Sequence, residues 1–260
     1  MNEDLKSCCA TLYESDFARL LLGDSFHPGG LRLTQRLGEL LQLGPRARVL
    51  DVASGKGESA IFLAQRFRCE VVGIDFGAAN VKEAGDRAVA AGVAELVSFR
   101  QGDAEKVDFP DARVDAVICE CAFCTFPDKR AAASEFARVL RPCGMAGMSD
   151  LTRSATLPPE LTGLLAWISC IADARPVEEY AAYLRSAGIS GIEIEPHDEA
   201  LAEMVHDIQG KLLSAELMSK LQKVDLVGVD FAQAKTLARA AADAVRAKTL
   251  GYAIIVGQRT

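Results

Sequence analysis

Short aliphatic runs alternate with helically spaced segments along most of this 260-residue chain. Val49–Val52, Glu70–Asp75, Val97–Gln101, Val114–Cys119 and Met145–Asp150 read as five successive strands. Between them, Glu58–Phe67, Ala79–Ala91 and Lys129–Leu140 carry apolar residues at the spacing of one helix face, as with Ile61, Phe62, Ala64 and Phe67. Such alternation predicts a parallel sheet flanked by helices. Two helices precede it: Asp4–Leu22, bearing Leu5, Leu12, Phe17, Leu20 and Leu21, and Leu31–Leu43, stopped by Gly44-Pro45. After it come an apolar helix at Pro159–Ala172, a helix at Val177–Ala187 stopped by Gly188, and a strand at Ile189–Ile194. Helical patterns at Glu199–Lys223 and Phe231–Lys248 then precede a last strand, Tyr252–Gln258.

The stretch Arg48–Glu58 organises the rest. A β-branched run ends in Asp51, turns through Gly55 and Gly57, and enters a helix. Strand, glycine loop and helix make a ligand site at the carboxyl end of the first strand of an open α/β sheet. Glycine lets the backbone approach a ligand closely. Read as Gly55-x-Gly57-x-x-Ala60 with Asp75 downstream, the loop also fits a dinucleotide fingerprint. Asp51 argues against that, because a carboxylate at the strand tip repels a pyrophosphate, whereas a zwitterionic sulfonium ligand suits it. A tight turn without a ligand is the third reading.

The stretch resembles motif I of class I S-adenosylmethionine (SAM) methyltransferases, with Ala53 in place of that motif's first glycine. The resemblance implies a Rossmann-like, doubly wound, mostly parallel seven-stranded sheet with an antiparallel last strand, N-terminal helices and a C-terminal helical insert. Residues 1–44 would form a helical cap, 45–198 with 250–260 the SAM-binding core, and 199–249 the insert. The implied cofactor contacts are Asp51, Ala53, Ser54, Gly55 and Gly57, then Asp75 and Phe76, then Gly102, Asp103 and Ala104, and Glu120 on the fourth strand. Asp75 is expected to take both ribose hydroxyls and Asp103 the adenine amino group. Solvated acids at strand ends are the plainer alternative.

Composition narrows the partners. The net charge is −7, with half the residues hydrophobic and a quarter charged, so there is no basic footprint for nucleic acid. No apolar run spans a bilayer, and the polar start Met1–Ser7 is no signal peptide, so a cytoplasmic protein without a membrane partner is expected. The sequence sets no oligomeric state. Eight cysteines in such a chain are reduced thiols rather than a disulfide scaffold, and each is packing, ligand or nucleophile.

Three of them cluster in Ile118-Cys119-Glu120-Cys121-Ala122-Phe123-Cys124-Thr125-Phe126-Pro127-Asp128-Lys129. Alternation along the strand lets Cys119 and Cys121 share a face while Glu120 points away. This segment is similar to that of arsenite methyltransferases, and the similarity continues through Arg138-Val139-Leu140-Arg141-Pro142-x-Gly144, Ser149-Asp150, Leu157-Pro158-Pro159-Glu160 and Trp167-Ile168-Ser169-Cys170. It covers roughly Val49–Ala187. The resemblance places Cys121 and Cys170 on the family's metalloid-binding cysteines. It implies methyl transfer to trivalent arsenic, arsenite or methylarsenite and possible as a thiol conjugate, with a cellular thiol as reductant. Soft arsenic takes thiolate ligands, its lone pair can face the methyl donor, and no general base is needed at the nucleophile.

The family's further cysteine before motif I is missing here. Cys8 and Cys9 can substitute from the N-terminal helix, or they pack or act as a redox pair; Cys119 and Cys124 are extra thiols, and Cys69 and Cys143 read as structural. His27, His197 and His206 read as structural or surface residues. Three alternatives stay open: methylation of an organic small molecule, a soft-metal sensor on the same fold, and a zinc site, for which three clustered thiols lack a distant partner.

Overall fold

The computed structural model describes residues 27–162, 166, 170–220 and 230–260. Its sheet has seven strands in the order β3-β2-β1-β4-β5-β7-β6. β1 (Arg48–Val52), β2 (Glu70–Asp75), β3 (Val97–Gln101), β4 (Val114–Glu120) and β5 (Leu140–Arg153) run parallel. β7 (Leu250–Arg259) is antiparallel to both β5 and β6 (Ile189–Pro196). This is the mostly parallel, doubly wound architecture expected from the sequence, antiparallel last strand included. The central strands are buried on both faces, which is why they read as unbroken apolar runs rather than alternating ones. The edge strands β3 and β6 keep polar, exposed positions that blunt further pairing.

The helices are α1 (Gly30–Leu40), α2 (Glu58–Phe67), α3 (Ala78–Ala90), α4 (Lys129–Val139), α5 (Val177–Ser186), α6 (Asp198–Lys220) and α7 (Phe231–Arg246). Leu33 and Leu37 of α1, with Leu41 just beyond it, are buried against the sheet. Gly147 on β5 makes room for them, since a Cβ there would lie 2.7 Å from Leu37 and 3.0 Å from Leu41. A bidentate Arg36–Glu195 pair, closest at 2.6 Å, ties α1 to β6. α6 and α7 pack on each other, and α7 rests on a 3-10 turn at Pro159–Leu161. Among the described residues no helix is long and apolar enough to cross a membrane.

Two boundaries differ from expectation. α4 stops at Val139 because Leu140 is already extended and pairs with Val114, before a register shift that restarts the ladder at Met145. The helix expected at Pro159–Ala172 opens instead as the 3-10 turn, and it has ended by Cys170, whose φ of 64° no α-helix accommodates. His27, expected to be structural or exposed, is buried. The expected helix Asp4–Leu22, with Cys8 and Cys9, lies outside the described residues, as does Trp167.

Two features set the stability of the carboxyl edge of the sheet. Phe123, fully buried after β4, meets the rings of Phe126, Phe136, Tyr180 and Tyr183 at 5.7–6.3 Å. Asp150 on β5 is fully buried, and burial first, then the nearby Cys170 thiol, push its carboxyl up from 3.8 to about 7. Phe123→Ala should therefore cost about 3–5 kcal/mol in chemical denaturation, the range for deleting a buried aromatic ring. For Asp150 the folded pKa is the higher one. Its contribution should be full below pH about 4, fall as pH rises to about 7 and level off above, with a span of about 4 kcal/mol. Denaturation of Asp150→Asn across that range should show the slope flattened; an unchanged slope would refute the assignment.

Candidate active site

The strand ends converge on a loop that the sequence builds by strain and hydrogen bonding. Ala53 takes φ 59°, Gly55 52° and Gly57 79°. Ala53 thus holds the left-handed conformation for which glycine is the default, at a cost of order 1 kcal/mol. A Cβ at Gly57 would lie 2.4 Å from Phe99, so the close packing there admits no side chain. At Gly55 a Cβ would meet nothing within 4 Å, and the loop is open on that side.

Asp75 fixes the loop. One carboxylate oxygen accepts from the Gly55 N–H at 2.8 Å, the other from the Gly77 N–H at 2.9 Å and the Asn80 amide at 3.1 Å. Burial raises its pKa, and these three donors oppose the rise. A carboxylate has about four acceptor sites, so the expected grip on two ribose hydroxyls would exchange some of these bonds. Asp51, at the tip of β1, is buried with Oδ2 making no hydrogen bond among the described residues. Its pKa is raised well above the carboxylate range by burial first, then by Glu120 and Asp75. The Ser54 hydroxyl is likewise buried and unpartnered. Phe76 stands half exposed beyond β2, the Gly102 N–H donates to the Asp75 carbonyl at 2.9 Å, and Asp103 accepts from the Glu105 N–H at 2.9 Å. Ala104 packs at the rim of the core.

Glu120 turns toward α1 and α2. It accepts from the Ser59 hydroxyl at 2.6 Å and the Thr34 hydroxyl at 3.0 Å, with Ser149 Oγ at 3.5 Å. His27 Nε2 lies 3.7 Å from it, and Tyr252 donates to Ser149 at 2.8 Å. Thr34, Ser59 and Tyr252 carried no motif, and Ser149 entered only in the string Ser149-Asp150; each presents a hydroxyl.

On the opposite side the thiols gather. β4 ends at Glu120, and Cys121 follows with φ 52°, its N–H donating to the Ser149 carbonyl at 2.7 Å. A 3-10 turn at Phe123–Thr125 then brings Cys124 back under the strand end. Its N–H donates to Asp150 at 2.9 Å, and its thiol also bonds that carboxylate. The Cys170 thiol donates to the Cys121 carbonyl at 3.1 Å and is in hydrogen-bond contact with the Cys121 and Cys124 thiols. Cys119 is fully buried, its sulfur accepting from the Phe123 N–H. Burial raises the Cys119 and Cys124 thiols well above their usual range, and the Cys170 contact does most to raise Cys121. The structure thus brings Cys119, Cys121, Cys124 and Cys170 together. Cys69, buried and pushed up to about 11, and exposed Cys143 stand apart.

Lys129 closes the arrangement. Buried, it donates to the Phe126 carbonyl at 3.0 Å and to Asp173 at 2.5 Å, joining the turn after β4 to the segment after Cys170. Asp150 and Lys129 entered the sequence reading only as letters in a shared string; a lone charge inside an apolar run was the available signal for Asp150, while Lys129, between Asp128 and Arg130, offered none. His197 pairs with Glu195 at 2.9 Å, and His206 is exposed. Among the described residues no group of three or more His, Cys, Asp or Glu side chains is set to hold a metal ion.

Residues 49–144 match a family described as a methyltransferase domain. The chain is similar to the 27-O-demethylrifamycin SV methyltransferase of Amycolatopsis mediterranei, 34% identical over 61% of this chain and 59% of that protein. It is similar to the arsenite methyltransferase of Halobacterium salinarum, 32% identical over 64% of this chain and 42% of that protein. The chain therefore spans roughly two-fifths to three-fifths of the length of these relatives. In fold it matches phosphoethanolamine N-methyltransferase 2 of Haemonchus contortus, solved with S-adenosyl-L-methionine, at TM-score 0.82 and 16% identity over 98% of this chain and 60% of that one. Asp51, the glycine loop and Asp75 all fall inside residues 49–144, the span that is similar to a methyltransferase domain.

Proposed function

We propose that the chain methylates trivalent arsenic, as arsenite or methylarsenite, held by the thiols of Cys121 and Cys170 beside a SAM site. The observation that carries this reading is the contact between those two thiols, 49 positions apart in sequence, at the strand end next to the glycine loop. Similarity to an arsenite methyltransferase supports it.

The residues present fit SAM. Gly55 leaves open space, Ser54 and Asp51 offer buried unpartnered polar atoms, and Asp51, Glu120 and Asp75 together favour a positive ligand. When bound, SAM supplies an activated methyl group as a sulfonium. Asp51 would face its cationic end, Asp75 and Phe76 the ribose side, and Gly102, Asp103 and Ala104 the base. Cys121 and Cys170 would hold the acceptor in a dry pocket, so catalysis would be mostly positioning. We read residues 1–44 as the cap over this pocket, 45–198 with 250–260 as the core, and 199–249 as an insert. Cys119, Cys8 and Cys9 remain candidate thiols; methyl transfer to the arsenic lone pair leaves pentavalent arsenic, and two equivalents of a cellular thiol, oxidised to a disulfide, would supply the two electrons that return it to the trivalent state.

A second reading, methylation of an organic acceptor, is favoured by the identity to a rifamycin methyltransferase. One assay separates the two. Full-length protein with SAM, arsenite and a thiol should yield methylated arsenic by mass. Cys121→Ser and Cys170→Ser should each lose at least about a hundredfold in rate, some 2.7 kcal/mol of barrier. Parental rates in both variants would discard the thiol reading. Because the Cys121 and Cys124 thiols are held protonated, arsenite capture should quicken as pH rises from about 6 to about 9. A flat stopped-flow profile over that span would count against those thiols.

A further inference from the structure

Arsenite carries three exchangeable hydroxyls, and the reading above gives it two sulfur partners. Cys124 stands beside them. Its thiol is in hydrogen-bond contact with Cys170, which also contacts Cys121, and its side chain is fully buried. The two segments that bear these sulfurs are fastened by Lys129, between the Phe126 carbonyl and Asp173. We infer that Cys124 is the third sulfur donor to the trivalent centre held by Cys121 and Cys170. The inference rests on the arsenic reading of this site.

The chemistry of burial favours it. With two thiols, arsenite would keep one hydroxyl among the buried Phe123, Cys119 and Asp150, where a polar group short of hydrogen bonds is costly. With three, each thiol replaces one hydroxyl: an As–S bond forms, an As–O bond breaks, and the thiol proton leaves on the departing hydroxyl as water. The product carries no net charge, which suits a pocket already crowded by Asp51, Asp150 and Glu120. In the structure the thiols are linked through Cys170 rather than drawn round one point.

The test uses full-length protein and two probes, arsenite and phenylarsine oxide. The aryl group of the second blocks one position, so it takes two thiols and releases one water. X-ray absorption of the wild-type arsenite complex should count three sulfur neighbours. Cys124→Ser should show two sulfurs and one oxygen. It should bind arsenite at least about tenfold more weakly, the scale on which even supporting partners of a ligand act. Its affinity for phenylarsine oxide should stay within about twofold, which a general folding defect would not allow. The Cys8→Ser/Cys9→Ser double variant should keep three sulfurs. Two sulfurs in the wild type, three retained in Cys124→Ser, or equal weakening toward both probes would overturn the role of Cys124 while leaving Cys121 and Cys170 in place. Absence of any sulfur neighbour in the wild type would instead bring down the arsenic reading itself, and this inference with it.

Discussion

The carboxyl edge of this sheet buries three acids, and burial raises the pKa of each. Asp51, Asp75 and Asp150 are all buried at strand ends, and an ionised carboxylate in such surroundings is tolerated only as far as fixed donors answer it. Asp75 and Asp150 are answered by backbone N–H groups of the turns beside them, those of Gly55 and Gly77 for one and of Cys124 and Leu151 for the other. The acids therefore shape the loops as much as the loops shape the site. Among the described residues Asp51 is answered least, its Oδ2 having no hydrogen-bond partner.

The same surroundings act on the thiols. Burial first, and then Asp150 among other neighbours, raises the Cys119 and Cys124 thiols, so sulfur here stays protonated and neutral. A partner that takes sulfur covalently, leaving no anion behind, fits such a pocket better than one that needs free thiolates. Fold alone would not have pointed there. Chains of related sequence methylate a rifamycin precursor or arsenite by name, and a shared sheet is compatible with either.

Much of the architecture was legible because each strand and its following helix announce themselves by period. β2, β3 and α2 fall on the residues expected of them. The glycine loop was legible for a stereochemical reason, and Ala53 at φ 59° shows that the position demands the left-handed region whoever occupies it. What the sequence could not show was long-range company. Thr34 and Ser59 meet Glu120 from two different helices, and Lys129 reaches Asp173 across 44 positions. Cys124 looked like an extra thiol in line; the 3-10 turn, too short to have a period, puts it beside Cys170. The helix expected at Pro159–Ala172 has ended by Cys170, because apolar spacing says nothing about where a chain must reverse.

Cys121 and Cys170 both sit with positive φ, at 52° and 64°. Any residue with a β-carbon is uneasy there, and glycine or asparagine would relieve the backbone. The folded state on its own gains little from a β-carbon at either turn, beyond the bond from the Cys170 thiol to the Cys121 carbonyl. A search for hardier variants of this protein would therefore be drawn first to the two thiols proposed to hold the acceptor.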